Sequence, residues 1–314
     1  MPGGFLKGQL HAHTSNSADS NTPAREAHRW YEEHGYDFVV FTDHNVVTDT
    51  EDTGMLTIPG VELTQNLRTC DPPAGPGKIC ALHMNVLFAT NDAAGLGPAQ
   101  TISRHDVYRQ ELERARTMGG IAMLNHPNLM YGTDAALIST LSRDGLTLLE
   151  VGNQAWDSEN GGDAAHPSCE AIWDGALTSG ARVFATATDD AHHYGDAAAM
   201  RARGERPFDG DHGFVVVRAD RNVPKIRAAV ARGDFYSSTG VLFESYELGA
   251  ETMSLAVRGT APVLFEVIGQ GGKVVRRERG VRLEVRLERD VGPYLRVRVT
   301  RDDGAIAWTQ PLFR

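Results

Sequence analysis

Apolar and polar positions alternate along this chain in two distinct rhythms. Over the first ~240 residues, short apolar runs are separated by amphipathic stretches of helical period. Strands are predicted at 5–11, 37–42 ("DFVVFT"), 57–63, 79–89 ("ICALHMNVLFA"), 120–125 ("GIAMLN"), 146–151 ("LTLLEV"), 181–187 ("ARVFATA") and 214–218 ("FVVVR"). Several intervening helices have readable ends. Thr22 stands as an N-cap with Pro23 at the first helical position, and Gly35 stops that helix. Further helices are predicted over 102–118, 166–179 and 223–232, each running into a glycine. Apolar strands alternating with helices indicate a mainly parallel sheet buried on both faces, as a closed barrel or an open doubly wound sheet.

From residue 244 the rhythm becomes strict alternation, as in "VRLEVRLERD" and "YLRVRVTRDDG", the signature of half-buried antiparallel strands. The chain is therefore expected to divide into an α/β unit, 1–243, and a small all-β, sandwich-like appendage, 244–314. The many arginines of the appendage read as its solvated face.

Composition narrows the class. A hydrophobic fraction of 41% and a charged fraction of 23% are those of a soluble globular protein. No apolar run approaches the ~20 residues that cross a bilayer. The opening "MPGGFLKGQLH" runs into the first strand without a signal-peptide core, so the expected location is the cytoplasm, or outside it if a leader was removed. A net charge of −10 argues against a surface that coats nucleic acid. It also means that a small anionic substrate would need local cations. Cys70, Cys80 and Cys169 form no CxxC pair. Free thiols are the default, with a loop-closing Cys70–Cys80 disulfide the alternative for an exported protein.

The strand ends carry the chemistry. The first closes on His11 and His13, which share a side because side chains alternate with period 2. The others supply Asp43 and His44 ("TDHN"), Glu62 ("PGVELT"), His83 ("LHMN"), His126 ("NHPN"), and Asp189, Asp190, His192 and His193 ("TATDDAHH"). One strand-end histidine is ordinarily a hydrogen-bonded structural residue. Six strand ends agreeing point to a metal cluster, because parallel α/β folds gather their sites at the carboxyl ends of strands. Imidazole and carboxylate without thiolate suit Zn, Mn or Fe(II). The donors outnumber the needs of one four-coordinate ion, so two or three divalent ions are expected. His28, His34, His105, His166 and His212 lie in helical or loop contexts and read as structural or surface residues.

In order, HxHxxxxxD, TDHN, a strand-end Glu, an isolated His, NHP and DDxHH resemble the PHP (polymerase and histidinol phosphatase) metallohydrolases. The stretches "IPGVELT", "LHMNVL", "EVGNQAW", "DDAHH", "GDFYSSTG" and "AWTQPLF" are similar to the carbaryl-hydrolase-like branch of that superfamily. The resemblance spans nearly the whole chain and implies a distorted (β/α)7 barrel. By position it implies His11, His13, Glu62 and Asp190 around a first metal, and Asp19, His44 and His192 around a second. His83 and His126, with Glu62 bridging, would hold a third. Asp19 stands where many members have histidine. Asp43 and Asp189, each preceding a ligand, are expected to orient imidazoles. The insertion "TQNLRTCDPPAGPGKICA" between Glu62 and His83 would lie over the site mouth.

No G-x-S-x-G elbow, P-loop or dinucleotide fingerprint points to other chemistry. The expected function is metal-dependent hydrolysis by a metal-bridging hydroxide, with His193 or a water protonating the leaving group. The family's usual substrate is a phosphoester, which Arg201, Arg203, Tyr194 and Lys78 would help to hold. An aryl carbamate or carboxylic ester is the alternative substrate, and a non-catalytic metal-binding module the alternative class.

Overall fold

The computed structural model describes residues 4–50, 54–91, 97–288 and 292–314. The first half runs β1 (Phe5–Gln9), α1 (Ala24–Glu33), β2 (Phe38–Phe41), β3 (Leu56–Leu67), β4 (Cys80–Leu87), α2 (Arg104–Thr117), β5 (Ile121–Leu124), α3 (Ala135–Arg143) and β6 (Leu148–Asn153). It continues with α4 (Cys169–Thr178), β7 (Phe184–Thr188), α5 (Ala197–Ala202), β8 (Phe214–Arg218), α6 (Val223–Ala231) and β9 (Phe235–Ser238). The remainder is β10 (Phe243–Leu248), β11 (Thr252–Val257), β12 (Val263–Gly269), β13 (Lys273–Gly280), β14 (Arg282–Arg286), β15 (Tyr294–Thr300), β16 (Ile306–Thr309) and β17 (Leu312–Phe313).

Helix starts follow local side-chain chemistry. Ser103, Asp134, Ser168 and Asn222 each accept a hydrogen bond from a backbone N–H three residues on, which caps α2, α3, α4 and α6. At α1 the expected Thr22 cap is replaced. Pro23 itself occupies the cap position and no side chain bonds the first turn. Helices α3 and α5 were not read from the sequence.

Fourteen strands form one sheet in the order β13-β12-β15-β16-β9-β8-β1-β2-β3-β4-β5-β6-β7, with β17 beside β15. Strands β10, β11 and β14 make a second sheet. Pairing is parallel within β1–β2–β3 and β5–β6–β7 but antiparallel at β3–β4, β4–β5 and β1–β8. The sheet is therefore mixed rather than mainly parallel. One cause is local: a parallel β3–β4 pair would need a long crossover, whereas the connection turns back as a hairpin. Cys70 and Cys80 are disulfide-bonded across that turn, not free thiols, and Cys169 is free and buried.

The expected (β/α)7 barrel is not closed by a strand ladder. The architecture is mixed α/β, with a large curled sheet and six helices among the described residues. β7 ends the hydrogen-bonded order, yet its free edge is covered. The Gln310 side chain brackets Ala185, accepting from its N–H at 2.9 Å and donating to its C=O at 2.8 Å. Ser237 Oγ donates to the same carbonyl at 2.7 Å. Side chains from β9 and the β16–β17 turn thus stand where a neighbouring strand would pair, so the edge is not left bare.

Of the later strands, β12, β13, β15 and β16 continue the large sheet through β16–β9 pairing. They are also clipped to α4. Arg296, expected on a solvated face, is instead buried at 1% side-chain exposure. It pairs with Asp174 at 2.6 Å and Glu170 at 2.7 Å. Arg298 and Arg277 extend the network to Glu266.

Candidate metal centre

The site grows from the way three segments interlock beyond the strand ends. The His11–His13 segment continues β1 and lies between Thr42, whose N–H donates to Ala12 O at 2.9 Å, and the Asp190–Ala191 turn. Asp190 N donates to His11 O at 3.0 Å and His13 N to Ala191 O at 2.8 Å. Glu62 and His83 sit within β3 and β4 rather than at their ends, because hairpin pairing carries both strands past the site. Their register sets Thr64 opposite His83 and Glu62 opposite Asn85.

Nine sequence-predicted donors converge into three adjoining groups. In the first, His11 Nε2 and His13 Nε2 are 3.2 Å apart, and Asp190 Oδ1 lies 3.2 and 3.1 Å from them. Glu62 closes this group at 3.6 Å from each imidazole. In the second, Asp19 Oδ2 is 3.2 Å from His44 Nε2 and 3.4 Å from His192 Nε2. In the third, His83 Nδ1 is 3.3 Å from His126 Nε2, and Glu62 Oε1 lies 3.2 and 3.4 Å from the two. Glu62 belongs to two groups, and His13 also lies with the second.

These spacings fit metal ligation. Bonds of ~2.0–2.2 Å to a tetrahedral ion place donors roughly 3.3–3.6 Å apart. The proton inventory points the same way, with tautomers assigned from their partners. His11 Nδ1 meets Glu150 at 2.7 Å, His13 Nδ1 meets Ser17 Oγ at 2.9 Å, and His83 Nε2 meets Asn66 Oδ1 at 3.1 Å. His192 Nδ1 meets Asp190 O at 2.9 Å, and His44 Nδ1 meets Thr64 Oγ1 at 2.7 Å. In the rings of His11, His13, His83 and His192 one nitrogen meets a partner outside its own group and the other faces carboxylate oxygens and other ring nitrogens, whereas His44 Nδ1 also lies 2.7 Å from Glu62 Oε2. Such an arrangement is held together by positive charge, either protons on the imidazoles or a metal ion between the donors.

Charge follows the same division. Burial disfavours ionisation of Glu62, yet His44, His83 and His11 outweigh it and hold the carboxyl well below its usual range. Asp190 is likewise depressed against burial by His11 and His13. His44 loses to burial less than it gains from Glu62 and Asp19, and stands at about 10. His13 falls to about 4, through burial and the neighbouring His192. Two donors carry unusual backbone: His126 at φ 23° and Asp190 at φ 53° lie in the left-handed region. Non-glycine residues persist there, at ~1–3 kcal/mol each, where surrounding contacts over-determine them.

Asp43 and Asp189 do not orient imidazoles. Asp43 accepts from Thr14 N at 2.6 Å, Thr14 Oγ1 at 2.7 Å and Thr48 Oγ1, which pins the loop after β1. Asp189 accepts from Gln9, Tyr31 and the N–H groups of Asp211, His212 and Gly213. Tyr194, expected to touch substrate, is buried behind the site, its OH donating to His13 O at 2.7 Å. Arg201 is paired with Asp209 and Arg203 with Glu205 on an exposed face, so neither faces the donors. Lys78 sits exposed in the hairpin turn, and that turn packs against α2, where Arg104 donates to Pro73 O at 3.0 Å. His193 stands at the rim, its Nδ1 accepting from Phe208 N at 3.1 Å.

The orienting carboxylate is Glu150, which sequence reading missed. It is fully buried in β6 and also accepts from His126 N at 2.7 Å and Thr188 Oγ1 at 2.7 Å. Asn125 holds Glu62 at 2.7 Å and Asn153 holds Asp190 at 3.1 Å. The signal was present: "LTLLEVGN" ends an apolar strand in a carboxylate and an amide, as its neighbours end in ligands. Compared with family models and with curated proteins, the chain matches none. No helix among the described residues is long and apolar enough to cross a membrane.

Proposed function

We propose that this chain is a metal-dependent hydrolase of the PHP kind, acting on a phosphomonoester or phosphodiester. The observation that carries the reading is the convergence of nine imidazole and carboxylate donors, with the other ring nitrogens of His11, His13, His83 and His192 committed to partners outside their own groups. The curled sheet, its last edge covered by Gln310 and Ser237, reads as an opened form of that family's distorted barrel. Mn, Fe or Zn suits a nitrogen and oxygen set without thiolate. Two or three such ions, when bound, would supply Lewis acidity and acidify a water for attack on the phosphorus.

The chain's own residues do the rest. Glu62, shared between two groups and held by Asn125, fixes the spacing of the donor sets. Asp190, held by Asn153, and His11, held by Glu150, are kept in one orientation before substrate arrives, so little reorganisation accompanies reaction. His193 accepts at Nδ1, which leaves its proton on Nε2, available to the departing oxygen at the rim. A small phosphoester is the expected partner; neither nucleic acid nor membrane is.

An aryl carbamate or carboxylic ester is the second reading, favoured by the nearly parallel rings of Trp156, Phe208 and His193 beside the donors. Protein loaded with Mn, Fe or Zn, offered p-nitrophenyl phosphate, bis-p-nitrophenyl phosphate and a p-nitrophenyl carbamate, separates the readings. Turnover of a phosphoester above that of the carbamate is expected. The reverse order favours the second reading, and no turnover with metal bound leaves a metal-binding module.

A further inference from the structure

We propose that Trp156, Phe208 and Arg206 form the subsite for the organic part of the substrate, and that this part is a flat aromatic ring carrying an anionic substituent. The proposal takes from the hydrolytic reading only the position of the reacting bond, at the donor groups.

Trp156 is 46% exposed although it is a large apolar side chain on the loop that leaves β6. Its ring lies 5.1 Å from that of Phe208 at an interplanar angle of 18°. Phe208 in turn lies 6.2 Å from His193 at 15°. These spacings exceed the ~3.5–4.0 Å of face-to-face contact, so the rings are offset and part of each face stays open. The wall is fixed at the metal centre. Phe208 O accepts from His192 N at 2.8 Å and His193 N at 2.9 Å, and its ring is 5.5 Å from the His192 imidazole. An open aromatic surface therefore runs from a donor of the second group outward to solvent.

Arg206 closes the far end, its guanidinium 4.4 Å over the Trp156 ring. Its neighbours Arg201 and Arg203 are occupied by Asp209 and Glu205, whereas Arg206 forms no ion pair among the described residues. A guanidinium held on an indole is a planar, weakly hydrated fork for a carboxylate or sulfonate. It stands over Trp156, which stacks on Phe208, whose ring is in turn 5.5 Å from the His192 imidazole. A second charge on a ring lying along Phe208 and Trp156 is what it can reach.

The test uses 4-hydroxybenzoate, the aryl alcohol that hydrolysis of a phosphoester, ester or carbamate would release alike. Titrated into Mn-loaded protein, it should quench tryptophan fluorescence saturably, whereas cyclohexanecarboxylate should bind at least tenfold more weakly. Trp156→Ala should raise the dissociation constant at least tenfold with metal content unchanged, and Trp156→Phe should restore most of the loss. Arg206→Ala should weaken 4-hydroxybenzoate several-fold but leave phenol unaffected. Absence of binding, or equal binding by wild type and Trp156→Ala, overturns the proposal. Binding with this pattern in a protein that turns over no ester would overturn the hydrolytic reading and leave the subsite standing.

Discussion

Two buried charged clusters in this molecule look alike by composition and differ in one physical respect. Around Arg296, opposite charges pair: the guanidinium reaches Asp174 and Glu170 while its Nη1 has no hydrogen-bond partner among the described residues, and Arg298 reaches Glu170 and Glu266. At the strand ends, imidazole nitrogens and carboxylate oxygens from six segments converge, and the other ring nitrogens of His11, His13 and His83 meet Glu150, Ser17 and Asn66. A network of paired opposite charges is structural. A convergent set of imidazole and carboxylate groups could hold metal. Glu111 is a third case. Fully buried in α2, both its carboxyl oxygens lack a hydrogen-bond partner among the described residues, and no donor set converges on it.

The contrast breaks most readily at Glu62. Glu62→Gln should lower hydrolytic turnover by roughly a thousandfold or more, about 4 kcal/mol of transition-state stabilisation, with metal content reduced and the fold intact by circular dichroism. Retained turnover would mean that the shared carboxylate is not at the centre of the chemistry. In the Arg296 network, Asp174→Ala should cost about 3–5 kcal/mol in urea unfolding because it removes the main partner of a buried charge. The double replacement Arg296→Met with Asp174→Leu should recover most of that loss. Equal losses for single and double variants would contradict the pairing argument.

Glu150→Gln sharpens the boundary between ligand and orienting residue. It should weaken metal binding by about 10- to 100-fold, measured by chelator competition, without removing the site. The smallest effect concerns Glu111, whose carboxyl burial pushes well above the ordinary 4.5, with Glu62 adding repulsion. The fold favours its protonated form, so its contribution is full below that ordinary value. It is lost as pH rises toward the folded value, at about 1.4 kcal/mol per pH unit. Glu111→Gln should therefore raise Tm increasingly from pH 5 to pH 8 and little near pH 4. A pH-independent change would show that the carboxyl is not kept neutral.

Eight of the nine donors were legible because each ends, follows or interrupts an apolar run, where an imidazole or carboxylate is conspicuous, whereas Asp19, in the polar stretch "TSNSADS", was reached only through the resemblance. All eight predicted strands of the first unit correspond to β1–β8, since apolar periodicity is a local property. What a sequence hides is the partner across the fold. Asp43 and Asp189 adjoin ligands in the chain, but the fold gives them backbone, hydroxyl and amide donors instead. Glu150 adjoins no ligand in sequence, yet folding brings it against His11. Whether the sheet closes was equally hidden, because it depends on Gln310, 125 residues from the Ala185 it covers.

The central claim is that the convergent strand-end donors hold metal. Elemental analysis of protein purified without chelator tests it most directly, with His11→Ala and Asp174→Ala beside the wild type. The account predicts two to three equivalents of Mn, Fe or Zn per chain in wild type and in Asp174→Ala, and a clear loss in His11→Ala. Wild-type metal content in His11→Ala, or no bound transition metal in any of the three after metal supplementation, would contradict it.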